Sequence, residues 1–296
     1  MGYVGRFAPS PTGPLHIGSL TTAVASWLHA RQRGGEWLVR VEDIDPPREQ
    51  PGAAAAILQT LDAFGLHWDR EVLFQSSRLA AYEEAVGRLL DHGLAFHCSC
   101  TRSEVRAVAG EHAPYPGTCR TRRQHRRATA VRARVEPGVV RFDDGVQGAV
   151  ENRLDRTLGD YVIRRRDGLP AYHLAVVIDD AAQGVTDVVR GVDLLESTAA
   201  HIHLQRALRL PAPRYWHLPV VVDATGAKLS KQTGARGLTA ADPAAAVEAL
   251  RYLGLDVPPE LEGERPEVLW QWALPRWRIE ALAHATRVVC AGKGGG

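Results

Sequence analysis

The feature that most constrains this chain is a switch of hydrophobic period, repeated through its first ninety residues. Tyr3-Val4-Gly5-Arg6-Phe7 has the length and composition of a short strand. It runs into Ala8-Pro9-Ser10-Pro11-Thr12-Gly13-Pro14, which no regular element can absorb. Beyond Gly18, residues Leu20, Ala23, Val24, Trp27 and Leu28 recur at helical spacing, and Gly34-Gly35 ends that helix. Trp37-Leu38-Val39-Arg40-Val41 is a second strand. It closes on the acidic run Glu42-Asp43-Ile44-Asp45, and Pro46-Pro47 blocks any continuation. Two further amphipathic helices pass through Ile57, Leu58, Leu61 and Phe64, then through Leu79, Tyr82, Val86, Leu89 and Leu90. Strands alternating with helices predict an α/β fold, a parallel sheet joined by crossover helices.

The texture changes after about residue 95. Residues 97–135 are rich in Cys, His and Arg and poor in apolar positions. Tyr161–Arg165 and Ala171–Ile178 read as two strands of a hairpin turning at Asp167-Gly168. A helix is expected at roughly 193–209 and a strand at His217–Val222. The remainder reads as helical, with Pro243 at a helix start, Val247, Leu250 and Leu253 on its face, and Trp270, Trp272 and Trp277 in the final helices. Gly292 to Gly296 reads as a frayed tail.

Four cysteines bear on compartment and metal. The N-terminus lacks the apolar core of a signal peptide, and no run approaches the ~20 apolar residues of a membrane span. The chain therefore reads as cytoplasmic, where cysteines stay reduced. Cys98, Cys100 and Cys119 fall in one short region, while Cys290 stands apart with no assignable role. Such clustering favours a metal over a disulfide framework, the alternative being three reduced structural thiols. Structural zinc takes four ligands, and by chemistry alone His97, His112 and His125 are the available fillers.

Two short runs carry the remaining chemistry. Pro14-Leu15-His16-Ile17-Gly18-Ser19 lies where the first helix begins, and the N–H groups and dipole of a helix N-terminus favour phosphate. His16 can donate to a phosphate oxygen, and Gly18 permits close approach. The second run stands out by counting. Of 36 lysine and arginine residues only Lys228, Lys231 and Lys293 are lysines, and two of them share Lys228-Leu229-Ser230-Lys231-Gln232. A compact ammonium is chemically distinct from a guanidinium fork, so the choice marks a candidate site.

Taken together, these runs resemble the two signatures of the class I aminoacyl-tRNA synthetases, written HIGH and KMSKS. They depart at the fourth position of the first and at the second and fifth of the second. Arg6-Phe7-Ala8-Pro9-Ser10-Pro11-Thr12-Gly13 and Arg40-Val41-Glu42-Asp43-Ile44-Asp45 resemble the glutamyl-tRNA synthetases. They set a cation and a carboxylate at the ends of neighbouring strands, which suits the carboxylates and the α-ammonium of an acidic amino acid. Glutamyl-tRNA synthetases continue into a large helical anticodon-binding part, whereas this chain ends about 60 residues after its lysine run. It is therefore similar to their truncated paralogues, the glutamyl-queuosine tRNA(Asp) synthetases.

The resemblance implies a Rossmann-like class I catalytic core whose first half is 1–95. A zinc-binding and connective insert at 96–180, a second half at 181–238 bearing the lysine loop, and a small C-terminal helical part at 239–296 would follow. It implies activation of L-glutamate by ATP and Mg²⁺ without tRNA, then esterification of the queuosine base at the wobble position of tRNA(Asp). The implied glutamate-binding residues are Arg6, Phe7, Ala8, Pro9, Ser10, Glu42, Tyr172 and Arg190. The implied ATP-binding residues are His16, Gly18, Ser19, Lys228, Ser230 and Lys231, with His16 and Lys231 catalytic. The implied zinc ligands are Cys98, Cys100, Tyr115 and Cys119, with His112 in reserve. A monomer is expected. The arginine run Arg120, Arg122, Arg123, Arg126, Arg127, Arg132 and Arg134 reads equally as a solvated face or as a contact for the RNA backbone. Two other readings are a truncated glutamyl-tRNA synthetase charging the acceptor end and a non-catalytic zinc-bearing RNA-binding module.

Overall fold

The computed structural model describes residues 2–110, 113–122, 124, 127–222, 237–238 and 241–289. Strand β1 (Val4–Phe7) leads through the Pro-rich loop to a two-residue strand, β2 (Leu15–His16), and directly into helix α1 (Ile17–Gln32). Helix α1 buries Leu20, Ala23, Val24 and Leu28 completely, as its spacing requires, and ends at Arg33-Gly34, where Gly34 takes φ +61. Strand β3 (Glu36–Val41) pairs parallel with β1 and is buried on both faces. The Trp37 indole donates to Ser26 Oγ at 2.9 Å, tying β3 to α1. Helix α2 (Ala53–Ala63), strand β4 (Leu73–Phe74) and helix α3 (Leu79–Asp91) complete the first half, with β4 parallel to β3.

Strand β5 (Ala95–Cys98), helix α4 (Arg102–Ala109) and strand β6 (Ala130–Ala133) follow. Next come the hairpin of β7 (Val140–Asp144) and β8 (Gly148–Asn152), the short helix α5 (Leu154–Thr157) and strand β9 (Val162–Arg164). β5, β6 and β9 form an antiparallel sheet. Helix α6 (Tyr172–Gln183), strand β10 (Asp187–Gly191), helix α7 (Leu195–Leu208) and strand β11 (Arg214–Leu218) return to parallel architecture, in a sheet ordered β10-β11-β7-β8. The residue before β10 joins the two parallel sheets, since Thr186 N–H donates to the Val4 carbonyl at 2.9 Å and Val4 N–H to Thr186 Oγ1 at 2.9 Å. Strands β12 (Val220–Val222) and β13 (Gly237–Leu238), helices α8 (Pro243–Tyr252) and α9 (Pro266–Ala273) and strand β14 (Arg287–Val289) complete the described chain. Leu250, Trp270 and Trp277 of this last part share one apolar core with α1, β1 and β3. No helix among the described residues is long and apolar enough to cross a membrane.

Three expectations are corrected. Ala171–Ile178 is not a strand: Ala171 is the N-cap and Tyr172 the first residue of α6, which stops at Gly184 with φ +69. Leu174, Ala175, Val176 and Val177 are all buried, so the run carries no alternation to separate strand from helix, and packing against α7 and α3 overrides its β-branched content. The turn at Asp167-Gly168 is real but supports only an isolated bridge, Arg164 to Pro170. The strand expected at His217–Val222 is broken at Pro219, which lacks a donor, so β12 pairs with β14 instead. Trp277 follows α9 rather than lying in a helix, although it is fully buried.

Candidate active site

One cavity of about 610 Å³ opens at the carboxyl ends of β1, β3 and β10, where ligands of open α/β sheets bind. Arg6 to Ser10, His16, Gly18, Ser19, Glu42, Tyr172 and Arg190 all line it. Lys228, Ser230 and Lys231 lie outside the described residues. The Pro-rich loop is held over β3 by the Glu42 N–H donating to the Pro9 carbonyl and the Gln50 N–H to the Pro11 carbonyl, both at 2.9 Å.

His16 is the N-cap of α1. Its Nδ1 accepts from the Ser19 N–H at 3.3 Å, and Ser19 Oγ accepts from the His16 N–H at 2.8 Å, a reciprocal capping box. In the neutral ring the proton then sits on Nε2. No acidic residue occupies the first turn of α1, so no side chain of that turn opposes the positive end of its dipole.

The other wall is ionic and buried. Arg6 Nε donates to Asp180 Oδ1 at 3.1 Å, and Arg40 Nη1 lies 2.8 Å from the same oxygen. Arg40 is fully buried, and its Nη2 stands 3.8 Å from a Glu42 carboxylate oxygen. Burial would raise the Asp180 carboxyl, but Arg6 and Arg40 hold it below the usual carboxylate range. Glu42 is less well compensated: burial pushes its carboxyl up to about 7, against the pull of Arg40 and Arg6. Neighbouring Asp179 is satisfied elsewhere, by Arg78 at 3.0 Å, Gln75 at 2.9 Å and Tyr82 at 2.6 Å.

Arg190 differs from the other two arginines. It is 4 % exposed, and no carboxylate among the described residues pairs with it directly. All five of its donors meet neutral acceptors. Nε meets His217 Nε2 at 3.0 Å. Nη1 meets the Tyr172 hydroxyl at 3.4 Å and His201 Nδ1 at 3.3 Å. Nη2 meets the Leu194 carbonyl at 3.2 Å and Thr198 Oγ1 at 2.8 Å. Burial, then the Arg190 charge, drives His201 well below its ordinary value, so it stays neutral. A buried cation without a counter-ion is costly. Arg6 and Arg40 thus face Asp180 and Glu42, while Arg190 touches no carboxylate among the described residues directly.

Arg40, Asp180, His217 and Asp144 were not singled out from the sequence. The sign available for Arg40 was a charge inside a strand otherwise buried on both faces. Asp180 became readable only once 172–183 was a helix, since residues eight apart share a helical face.

The thiols form a second, separate cluster. Cys98, Cys100 and Cys119 sulfurs lie within 4.8 Å of one another, with Cys100 and Cys119 at 3.5 Å. Tetrahedral zinc with ~2.3 Å bonds needs sulfurs about 3.8 Å apart, so the set fits. The Tyr115 hydroxyl is 3.4 Å from Cys98 Sγ and 3.5 Å from Cys100 Sγ, and it accepts the Cys119 N–H at 2.9 Å. Burial would raise the Cys119 thiol, but hydrogen bonds from Tyr115 and the Ser99 backbone bring it down to about 7, toward the thiolate a metal requires. His97 turns outward to Thr129 Oγ1 at 3.0 Å, while His112 and His125 lie outside the described residues. Arg132 stacks on the Tyr115 ring, 4.0 Å from its centroid.

Comparison with known proteins agrees with this geometry. Residues 3–242 match the family model described as tRNA synthetases class I (E and Q), catalytic domain. A Pseudomonas putida protein named Glutamyl-Q tRNA(Asp) synthetase is 50% identical over 288 residues, 97% of this chain and 95% of that protein. One of the same name from Chromobacterium violaceum is 52% identical over 285 residues, 95% of each. Among solved structures, a glutamate-tRNA synthetase from Elizabethkingia anophelis superposes with TM-score 0.80 at 26% identity, over 97% of this chain and 68% of that one. A glutamate tRNA ligase from Elizabethkingia meningosepticum in complex with its amino acid gives TM-score 0.71 at 29% identity. It is matched over 79% of this chain, which spans about half, 53%, of that structure.

Proposed function

The chain belongs to the class I tRNA synthetases of the glutamate and glutamine type, and within them to the glutamyl-Q tRNA(Asp) synthetases; on that premise we propose that it activates L-glutamate with ATP in the 610 Å³ cavity and transfers it to queuosine of tRNA(Asp). It is thus a ligase. The observation that carries the substrate is Arg190, a buried cation surrounded only by neutral acceptors. Asp180 and Glu42 face Arg6 and Arg40, whereas Arg190 reaches a carboxylate, Asp144, only through the His217 ring. A glutamate carboxylate gives Arg190 a direct counter-charge, whereas the neutral side chain of glutamine does not. Arg190 and Arg6 face substrate carboxylates, Tyr172 yields its long contact to Arg190, and Glu42 takes the α-ammonium.

In the first step a substrate α-carboxylate oxygen attacks the α-phosphorus of ATP. The new P–O bond forms as the bond to the bridging oxygen breaks, giving glutamyl-adenylate and pyrophosphate. No protein nucleophile is required. Positioning and charge neutralisation supply the catalysis. His16 Nε2–H and the first turn of α1 hold phosphate oxygens. Lys231 follows the charge that develops on pyrophosphate. Mg²⁺ when bound neutralises phosphate oxygens. In the second step a queuosine hydroxyl attacks the mixed anhydride and releases AMP. Cys98, Cys100, Cys119 and Tyr115 would hold zinc in a closed structural site, ordering a segment with few apolar residues of its own. We place the enzyme in the cytoplasm as a monomer.

Glutamate-dependent ATP–pyrophosphate exchange without tRNA tests the first step, and its absence in folded, zinc-loaded protein would exclude activation. Mapping the ester in charged tRNA to the wobble base or to the terminal adenosine separates this reading from acceptor-end charging.

A further inference from the structure

Arg190 is connected to Asp144 through a single imidazole. β10, β11 and β7 are neighbours in one sheet, and Arg190 and His217 are register partners on the first two. His217 Nδ1 lies 2.6 Å from Asp144 Oδ2, and its Nε2 lies 3.0 Å from Arg190 Nε. His217 is fully buried, Asp144 is 3 % exposed and Arg190 4 %. A guanidinium Nε–H can only donate, so His217 Nε2 must present a lone pair. The ring proton must then sit on Nδ1 and be given to Asp144. The second oxygen of Asp144 is fixed as an acceptor, taking the backbone N–H groups of His217 at 3.1 Å, Val146 at 3.0 Å and Gln147 at 2.9 Å. Asp144 therefore decides the tautomer of His217, and the tautomer decides whether Arg190 meets an acceptor or a competing donor.

We propose that Asp144 and His217 are positioning residues for amino-acid selection. They lock the Nδ1–H tautomer, pin Arg190 by its Nε, and leave its Nη1 to exchange Tyr172 for the substrate carboxylate. Burial and the Arg190 charge keep His217 neutral against the pull of Asp144, so no carboxylate of the described residues touches Arg190 directly and a substrate carboxylate can. The idea rests on the glutamate-activating reading above, which nothing else in this relay requires.

Asp144→Asn separates the lock from simple packing. Its oxygen stays with the three backbone donors, so the amide nitrogen faces His217 Nδ1 and forces the proton onto Nε2, as the same change does in a Ser-His-Asp triad. The expected result in the exchange assay is a KM for glutamate raised at least about tenfold with the KM for ATP within about twofold. His217→Gln retains an acceptor for Arg190 and should keep most glutamate affinity, whereas His217→Leu should not. Nitrogen-15 chemical shifts of wild-type His217 should report protonated Nδ1 and bare Nε2. Protonated Nε2 in the wild type, or an Asp144→Asn protein whose two KM values are unchanged or rise together, would overturn the proposal. The shifts decide it even where Asp144→Asn fails to fold. Wild-type protein without any glutamate-dependent exchange would instead overturn the activation reading, leaving the tautomer measurement to stand alone.

Discussion

His16 and Gly237 are register partners across the antiparallel pair of β2 and β13. Val220 and Val221 of β12 line the same cavity that His16 lines. Residues 223–236, which include Lys228 and Lys231, are therefore joined at both described flanks to the mouth of the site. The proposed role of Lys231 is consistent with those flanks, and a compact ammonium on a flexible stem is chemically distinct from a planar guanidinium fork.

Lys231→Ala and the like-charge Lys231→Arg should each lower glutamate-dependent exchange by about 10²–10³-fold, the usual cost of one transition-state charge contact. Unchanged circular dichroism would show that folding is intact. Full activity in Lys231→Arg would remove the reason for the lysine.

Glu42 sets an acidic limb on activity. Its carboxyl is pushed up to about 7 by burial, and only the ionised form pairs with an α-ammonium. The kcat/KM for glutamate should therefore rise with pH to a plateau above about 7. Glu42→Gln should lower that plateau and abolish the limb. The stability effect has the opposite sign. Between about 4.5 and 7 the native state holds a proton that the unfolded chain has lost, so Glu42 makes the fold less stable as pH rises through that window. Urea titrations of wild type and Glu42→Gln should converge at low pH and separate toward neutrality.

Asp180→Ala strips the shared partner from Arg6 and Arg40 at once. Breaking such a buried pair costs about 3–5 kcal/mol, which should appear as a large fall in the urea midpoint together with weakened glutamate binding.

Zinc removal should loosen the segment around Cys98–Cys119 without dissolving the parallel sheet. One equivalent of zinc should be released by a thiol-modifying reagent, and Cys119→Ser should hold none. Tyr115→Phe should bind zinc at least about tenfold more weakly while keeping the thiol set. Unchanged affinity in that variant would leave the phenol a packing group beneath Arg132.

The arginine run divides. Arg120 is committed to Asp160 at 2.7 Å, Arg127 to Glu104 at 2.7 Å, Arg132 to the Asp160 carbonyl at 2.7 Å, and Arg134 to the Gly93 carbonyl at 3.1 Å. Arg122 is exposed, while Arg123 and Arg126 lie outside the described residues. Replacing Arg122 with Ala should weaken tRNA binding and reduce the salt slope by about 1, whereas Arg120→Ala should chiefly destabilise the fold. An unchanged slope for Arg122→Ala would assign the run to structure.

Local rules made much of this protein legible. The 3–4 spacing of Leu20, Ala23, Val24 and Leu28 is a short-range feature, readable without knowing what α1 packs against. The alternation of β1, α1 and β3 required a parallel sheet, and a sheet of that kind places its ligands beyond the strand ends. Arg6, Glu42 and His16 were visible for the same reason, since each closes a strand or opens a helix. The run 171–178 was not legible, because an apolar stretch buried on every side carries no period.

What only tertiary structure decided is the state of the charges. Asp144, Arg190 and His217 stand on three strands far apart in sequence, and nothing local to any of them announces the others. Whether an arginine is balanced depends on which carboxylates the fold brings within a few ångströms after water has been excluded, and Coulomb energies in that setting change steeply with distance and burial. The sequence by itself determined that a cavity would open beyond the ends of β1 and β3. The packing of β7, β10, β11 and α6 decided that Arg6 and Arg40 would meet Asp180 directly while Arg190 would touch only neutral groups.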